Sequence, residues 1–349
     1  MKGFFDNVNH FLGQSNQYNN NNQRSNHSGS SPVDAMKRME RSIPVGHIPN
    51  FKEYVADVLD NHPELFFVGR YFTFSGSLFS TSMHPMYLYS REQVVQLNQQ
   101  LEAVANSLIG ELINDHQSEY DKVRVLHDYL KCNIEYDFDS LSNNSLTDVK
   151  NLEAHSIVGA LLKKKCVCEG FATAMKYLCD KIGIECYVVS GHGSSSIFNG
   201  PHAWNIVRIN GYYHHIDVTW DNQFSDDCCV PNYGYFNLSD DEIAKDHTWN
   251  RKKYPACPDS PYNYFKVNNS LLDNKTQLEN FLYESFQNEE QYITFRIKKD
   301  STLEREIHYC ISGAISRASN RCKYITVGTY EYRYIDEQLT FFINPKYEY

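Results

Sequence analysis

The chain has 349 residues, enough for two domains, and 41% of them are hydrophobic, close to the globular norm, so most of it should fold. Its formal charge of −10 argues against a general nucleic-acid binder, which would present a basic face. The longest apolar runs, such as Leu65-Phe66-Phe67-Val68, fall far short of the ~18 residues of a membrane span.

The segment from Met1 to His10 is broken by polar side chains and lacks the continuous apolar core of a signal peptide. A cytoplasmic location is therefore the default expectation, and a short amphipathic docking helix fits the pattern there. Residues 14–31 are polar and asparagine-rich and cannot bury enough apolar surface to offset their ordering entropy. We read residues 1–50 as a disordered N-terminal segment, with order beginning near Phe51. A helix follows over 51–60. Short strands are expected over 65–90, where Phe66, Phe67, Val68, Tyr71, Phe72 and Phe74 cluster. From Ser90 to Asn114 the apolar residues Val94, Val95, Leu97, Leu101, Val104, Ala105, Leu108 and Ile109 recur at helical spacing, and another helix covers 117–132, with Val123, Leu126 and Leu130 on one face.

The most informative helix is predicted over Val167–Lys181. Phe171, Met175, Leu178 and Ile182 fall on one face, and Gly183 supplies a C-terminal stop. Three strand-like stretches follow: Glu185–Gly191, His202–Ile209 and Tyr212–Trp220. Asn210-Gly211 between the last two is a strong hairpin signal. Pro255, Pro258 and Pro261 then mark a linker or wrapping loop. Beyond it a helix is expected over 276–287, with strands or mixed elements over 291–298, 305–313, 321–330 and 332–343. We read 266–349 as a small α+β domain without chemistry of its own, and 51–265 as the main domain with its N-terminal helical and strand extension.

Cys168 stands just before a helix, whose first turn presents unpaired N–H groups and positive potential. A thiolate is stabilised there and becomes populated near neutrality. A nucleophilic cysteine also needs a base, and the base needs an orienting group. With a two-residue turn at Asn210-Gly211, Ile209 faces Tyr212 and the register runs back until His202 faces Thr219. Asp217 shares the face of Thr219 and lies diagonal to His202, within reach of it. A one-residue slip would send Asp217 to the other face. Flanked by Ile216 and Val218, its carboxylate is costly unless paired.

These residues fall in three blocks: Val167-Cys168-Glu169-Gly170-Phe171-Ala172, His202-Ala203-Trp204-Asn205 and Asp217-Val218-Thr219-Trp220. In that order they resemble the signature of the transglutaminase-like superfamily, over about 51–265 and most strongly over 155–221. The segments Asn133–Asp137 and Tyr235–Ser239 resemble stretches of bacterial members. The resemblance implies an α+β fold with a papain-like core, in which the nucleophile helix packs on an antiparallel sheet. It implies Cys168, His202 and Asp217 as catalytic triad, and acyl transfer or amide hydrolysis on protein or peptide substrates through a thioester. No cofactor is called for. Protease, deamidase and transglutaminase differ only in donor and acceptor, and a non-catalytic binding scaffold on the same fold is the alternative. Large accessory β-domains are absent, which argues against calcium-dependent crosslinking.

Trp204, Thr219 and His215 are candidates for lining the site, with packing the competing reading for Trp204 and a structural role equally open for His215. His155 and His247 are read as structural, His192 as a loop residue above the cleft, and Asp221 as capping the strand end. Cys166, where the family more often has a small residue, is either a spectator or a partner in a resting disulfide. With 10 cysteines but no pair of CxxC motifs, a structural zinc site has little support and no metal ligand is assigned.

Overall fold

The computed structural model describes residues 31–77, 80–140, 148–195, 198–223 and 231–349. Regular structure starts earlier than the composition suggests. The Ser31 hydroxyl accepts the Asp34 N–H and caps helix α1 (Pro32–Lys37), and Met36 is fully buried. Strand β1 (Ile43–Pro44) buries Ile43, so the reading of residues 1–50 as disordered is corrected for 32–50: a few apolar anchors inside a polar stretch hold it down. The asparagine-rich run up to residue 30 lies outside the described residues. Helix α2 (Phe51–Asn61) follows, then the hairpin β2 (Val68–Ser77) and β3 (Ser80–Tyr87). The three strands form one antiparallel sheet in the order β1-β3-β2.

Helix α3 (Arg91–Leu112) opens with a reciprocal Ser90–Gln93 capping box, and α4 (Glu119–Asn133) with a Ser118 cap. Both begin and end close to the expected positions. Two short parallel strands, β4 (Glu135–Tyr136) and β5 (Lys165–Cys166), lead into the central helix α5 (Cys168–Lys181). Every residue of α5 from Gly170 to Cys179 is buried, because the helix is covered all round rather than on a single face. Gly183, with φ of 74°, ends it; its N–H bonds to the Asp180 carbonyl and the Ile184 N–H to that of Cys179.

Strands β6 (Cys186–Ser194), β7 (Asn199–Ile209) and β8 (Tyr212–Ile216), helix α6 (Val218–Gln223), and strands β9 (Phe236–Leu238) and β10 (His247–Trp249) complete the core. The strands make a five-stranded antiparallel sheet in the order β10-β6-β7-β8-β9. Asn210 (φ 48°) and Gly211 (φ 89°) form the expected two-residue turn, with Ile209 opposite Tyr212. The expected strand to Trp220 ends at Ile216, however. Asp217 accepts the Trp220 N–H on its side chain at 3.1 Å, and so starts a helix where the apolar pattern suggested a strand.

The C-terminal part contains β11 (Leu271–Leu272), α7 (Lys275–Gln287), β12 (Ile293–Ile297), α8 (Thr302–Arg321), β13 (Thr326–Ile335) and β14 (Thr340–Glu348), with the sheet ordered β11-β12-β14-β13. Residues 305–313, read as strand or mixed, are helical: Leu303, Ile307, Ile311, Ala314 and Ile315 line one helical face, and Ser301 caps it. They meet Leu278, Leu282, Phe286, Phe295 and Phe341 in a separate apolar core. No helix among the described residues is long and apolar enough to cross a membrane.

Candidate active site

Cys168 is the first residue of α5. Val167, in extended conformation (ψ −179°), precedes it without a capping side chain, so nothing from that residue occupies the N–H groups of the first turn. The entry is held from both sides: the Val167 N–H bonds to the Ala154 carbonyl at 2.9 Å, and the Asp137 N–H to the Cys166 carbonyl at 2.9 Å. Gly170 is needed here. A Cβ on it would lie 2.5 Å from Cys166 Cβ and 2.8 Å from the Ala154 oxygen. Cys166 is therefore a buried packing partner of the helix. It is a free thiol, pushed well above the ordinary range by burial. Cys168, partly exposed, is also free.

His202 Nε2 donates to Asp217 Oδ2 at 2.6 Å, and the Cys168 side chain lies near enough to the imidazole to favour its charged form. His202 and Asp217 are both buried. Burial works against a charged imidazole, but the Asp217 carboxylate and then Cys168 outweigh it and raise His202 to about 10. For Asp217, burial favours the neutral form. The His202 charge and the hydrogen bonds from His202 and His247 overcome this and hold it well below the usual carboxylate range.

Tyr136 was not singled out from the sequence. Its β4 position, opposite Cys166 on β5, brings its side chain beside Cys168. Burial, followed by the nearby Cys168 and Asp217, raises it, so it stays a neutral hydroxyl. The signal lay in the Asn133–Asp137 segment, but nothing there said which side chain points at the nucleophile. On the other side, Arg70 of β2 and His155 both meet the Glu169 carboxylate, His155 at 3.2 Å.

The three candidate lining residues separate. The Trp204 ring lies 6.0 Å from that of His202, and its indole N–H donates to His215 Nδ1 at 2.9 Å. His215 Nε2 in turn donates to Asp240 Oδ1 at 2.9 Å, so His215 props Trp204 from behind rather than meeting the triad. Thr219 is buried in α6 beside Asp217. Asp221 does not cap a strand: it is buried in α6, where Oδ2 meets His127 Nε2 at 3.0 Å and Oδ1 accepts the Tyr235 N–H. His192 sits on β6, bonded to Asn199, rather than on a loop. His247, read as structural, turns out to touch the site: its Nε2 reaches Asp217 Oδ2 at 3.1 Å.

Among the described residues, two groups hold metal-type ligand atoms close together: His202, Asp217 and His247, and His215, Asp240 and Cys257. In the second, an indole N–H can only donate, so His215 Nδ1 is the acceptor and Nε2 carries the proton, leaving no lone pair for an ion. In the first, both imidazoles spend Nε2 on a single carboxylate oxygen.

Residues 106–237 match the family model described as the transglutaminase-like superfamily. Kyphoscoliosis peptidase of Mus musculus is 28% identical over 123 residues, 33% of this chain and 18% of that protein, and that of Homo sapiens is 26% identical over the same extents. The match thus spans under a fifth of the length of these relatives. Among solved structures, a TGase aligns at a TM-score of 0.31 with 16% identity, covering 51% of this chain and 50% of the other. A putative cysteine protease from Cytophaga hutchinsonii aligns at 0.28 with 16% identity, covering 40% and 53%.

Proposed function

Residues 106–237 form a transglutaminase-like domain, and from that premise we propose that the chain is a cysteine-dependent enzyme that cleaves or transfers amide acyl groups of proteins or peptides through a thioester on Cys168. The observation that carries the reading is the buried His202–Asp217 pair at 2.6 Å, with the thiol of Cys168, at a helix start, close to the imidazole. The relatives' name, a peptidase, supports amide hydrolysis as the reaction class.

His202 takes the proton of Cys168, and the thiolate attacks the substrate carbonyl carbon. The tetrahedral oxyanion forms beside the Cys168 backbone N–H. Tyr136, whose side chain stands beside Cys168, offers its hydroxyl as the second donor to the same oxygen. His202 then protonates the departing amine or ammonia, and the C–N bond breaks to leave the thioester. Water or an amine attacks the thioester, His202 accepts its proton, and Cys168 leaves and is reprotonated. Asp217 holds the imidazole in the tautomer that faces the sulfur and stabilises the imidazolium.

The test is hydroxylamine capture. The full chain is incubated with a mixture of denatured proteins and glutamine-rich peptides in the presence of hydroxylamine. Hydroxamates at backbone or glutamine carbonyls, lost in Cys168→Ala, are the expected result, and their position tells a peptidase from a glutamine-directed enzyme. Absence of hydroxamate, cleavage and ammonia release from wild type, with Cys168 no more reactive than other thiols, refutes the proposal.

A further inference from the structure

The scheme above leaves a second buried histidine unused. His247 opens the edge strand β10, and its Nε2 reaches the same Asp217 oxygen that His202 holds, at 3.1 Å against 2.6 Å. Its Nδ1 lies 2.6 Å from Asp246 Oδ1. The other Asp246 oxygen accepts the Tyr235 hydroxyl at 2.8 Å and Gln338 Nε2 at 3.1 Å. His202, Asp217, His247, Asp246, Tyr235 and Gln338 are each no more than 5% exposed. The network is continuous and buried from the base to the turn between β13 and β14.

Asp217 is thus gripped by three donors: two imidazoles on Oδ2 and the Trp220 N–H on Oδ1. With a single imidazole, the carboxylate could rotate about its Cβ–Cγ bond and carry Oδ2 off the axis of His202. Two imidazoles on one oxygen and a backbone donor on the other remove that freedom. His247 itself cannot turn. Its ring centroid lies 4.3 Å from that of Trp220 and 4.8 Å from that of Trp204, and both nitrogens face carboxylates. Gln338 lies between β13 and β14, and its amide also donates to the Glu242 carbonyl. Ile335 and Phe342, on the two strands beside it, pack with Trp220 and Tyr235. Arg296 of β12 hydrogen-bonds the Gly234 carbonyl.

We propose that His247 and Asp246 are positioning residues for Asp217, and that Gln338 extends this network into the C-terminal unit, which is thereby part of the catalytic assembly rather than an appendage. The proposal rests on the catalytic reading of Cys168, His202 and Asp217. The titratable and charged groups near the pair on neighbouring elements are His202, Asp217, His215, Lys245 and Arg296.

The test measures the alkylation rate of Cys168 by iodoacetamide across acid to alkaline pH in the full chain, with the modified residue identified by mass spectrometry. His247→Phe keeps an aromatic ring and its packing but removes both ring nitrogens. It should slow acid-side alkylation about tenfold, the loss expected for one orienting hydrogen bond. His247→Gln restores an N–H donor near the Nε2 position and should recover most of the rate. Gln338→Leu, of similar volume and remote from the sulfur, should slow alkylation about threefold, with the thermal transition still cooperative. Wild-type profiles in both His247→Phe and Gln338→Leu, beside a His202→Ala control that loses fast labelling, overturn the positioning role and leave the catalytic reading standing. If His247→Phe does not fold, Gln338→Leu decides: an unchanged profile overturns the proposal and a slowed one supports it. If wild-type Cys168 labels no faster than the other cysteines, the catalytic reading falls and this proposal with it.

Discussion

Asp217→Asn removes one charge and almost no volume. Asp217 accepts three hydrogen bonds: His202 Nε2 at 2.6 Å and His247 Nε2 at 3.1 Å on one oxygen, and the Trp220 N–H at 3.1 Å on the other. Asparagine has one oxygen and one NH2 group. Turned with its oxygen to the imidazoles, it sets the NH2 against the Trp220 N–H and uncaps α6; turned the other way, it sets donors against two imidazole donors. Either rotamer loses at least one buried bond and the charge that assists the others. The stability cost is about 3 kcal/mol, the order found when one partner of a buried pair is removed. Its pH dependence has a sign. The raised His202 stabilises the fold fully below its unfolded value of 6.5, and that contribution is lost as pH rises through about 10. The lowered Asp217 contributes above its unfolded value of 3.8 and is lost as pH falls further. The difference between wild type and variant in urea melts is therefore largest from about pH 4 to 6.5 and shrinks towards pH 10. Turnover, measured on whichever amide the hydroxylamine screen finds, should fall by about 10⁴, as expected when a catalytic histidine loses its orienting carboxylate. A variant that keeps kcat within about threefold, with a pH-independent stability loss, refutes the role assigned to Asp217.

Tyr136→Phe should lower kcat by about 10² with little change in KM, since an oxyanion donor acts only in the transition state; equal effects on both would move Tyr136 to substrate binding. Gly170→Ala should destabilise the fold by about 3 kcal/mol in chemical denaturation, because the new methyl group meets the Ala154 carbonyl and Cys166 at the root of α5; a neutral result would show that this packing yields easily. His214 is buried with neither ring nitrogen hydrogen-bonded among the described residues, and burial lowers it to about 4. The stability it permits is present above the unfolded value of 6.5 and is lost as pH falls through about 4, so His214→Leu should hold or raise stability by about 1 kcal/mol and flatten the acid limb of the profile; a loss of more than that would reveal a partner for the ring.

The parts legible in the sequence are those set by local rules. The Asn210-Gly211 turn, the helix from Cys168 to Lys181 and its Gly183 stop each follow from backbone preference and spacing. Because the turn fixed the register from Ile209 and Tyr212 back to Asn205 and Ile216, His202 and Asp217 came within reach of one another even though the strand stops short of Asp217. The misses have non-local causes. Val218-Thr219-Trp220 reads as strand because β-branched and aromatic residues favour it, yet the Asp217 cap turns it into a helix. The helix from Thr302 to Arg321 was obscured by its interleaved polar residues, and its apolar stripe emerges only over the full length. Met36 and Ile43 anchor a segment whose average composition is polar. His247 is 30 residues beyond Asp217 and reaches it only because β10 pairs with β6 at the far edge of the sheet. Tyr136 arrives by a two-residue parallel bridge that no periodicity announces.

The central claim is an activated thiol at Cys168, and the direct measurement is the iodoacetamide labelling rate of each cysteine against pH, in wild type and His202→Ala. Buried Cys166 and Cys186, both raised well above the ordinary thiol range, provide the unreactive background. The account predicts that Cys168 labels about tenfold or more faster than any other cysteine well below the ~8.5 of a free thiol, and that His202→Ala abolishes the advantage. Cys168 labelling at the background rate in fully reduced protein, unchanged by His202→Ala, would contradict it.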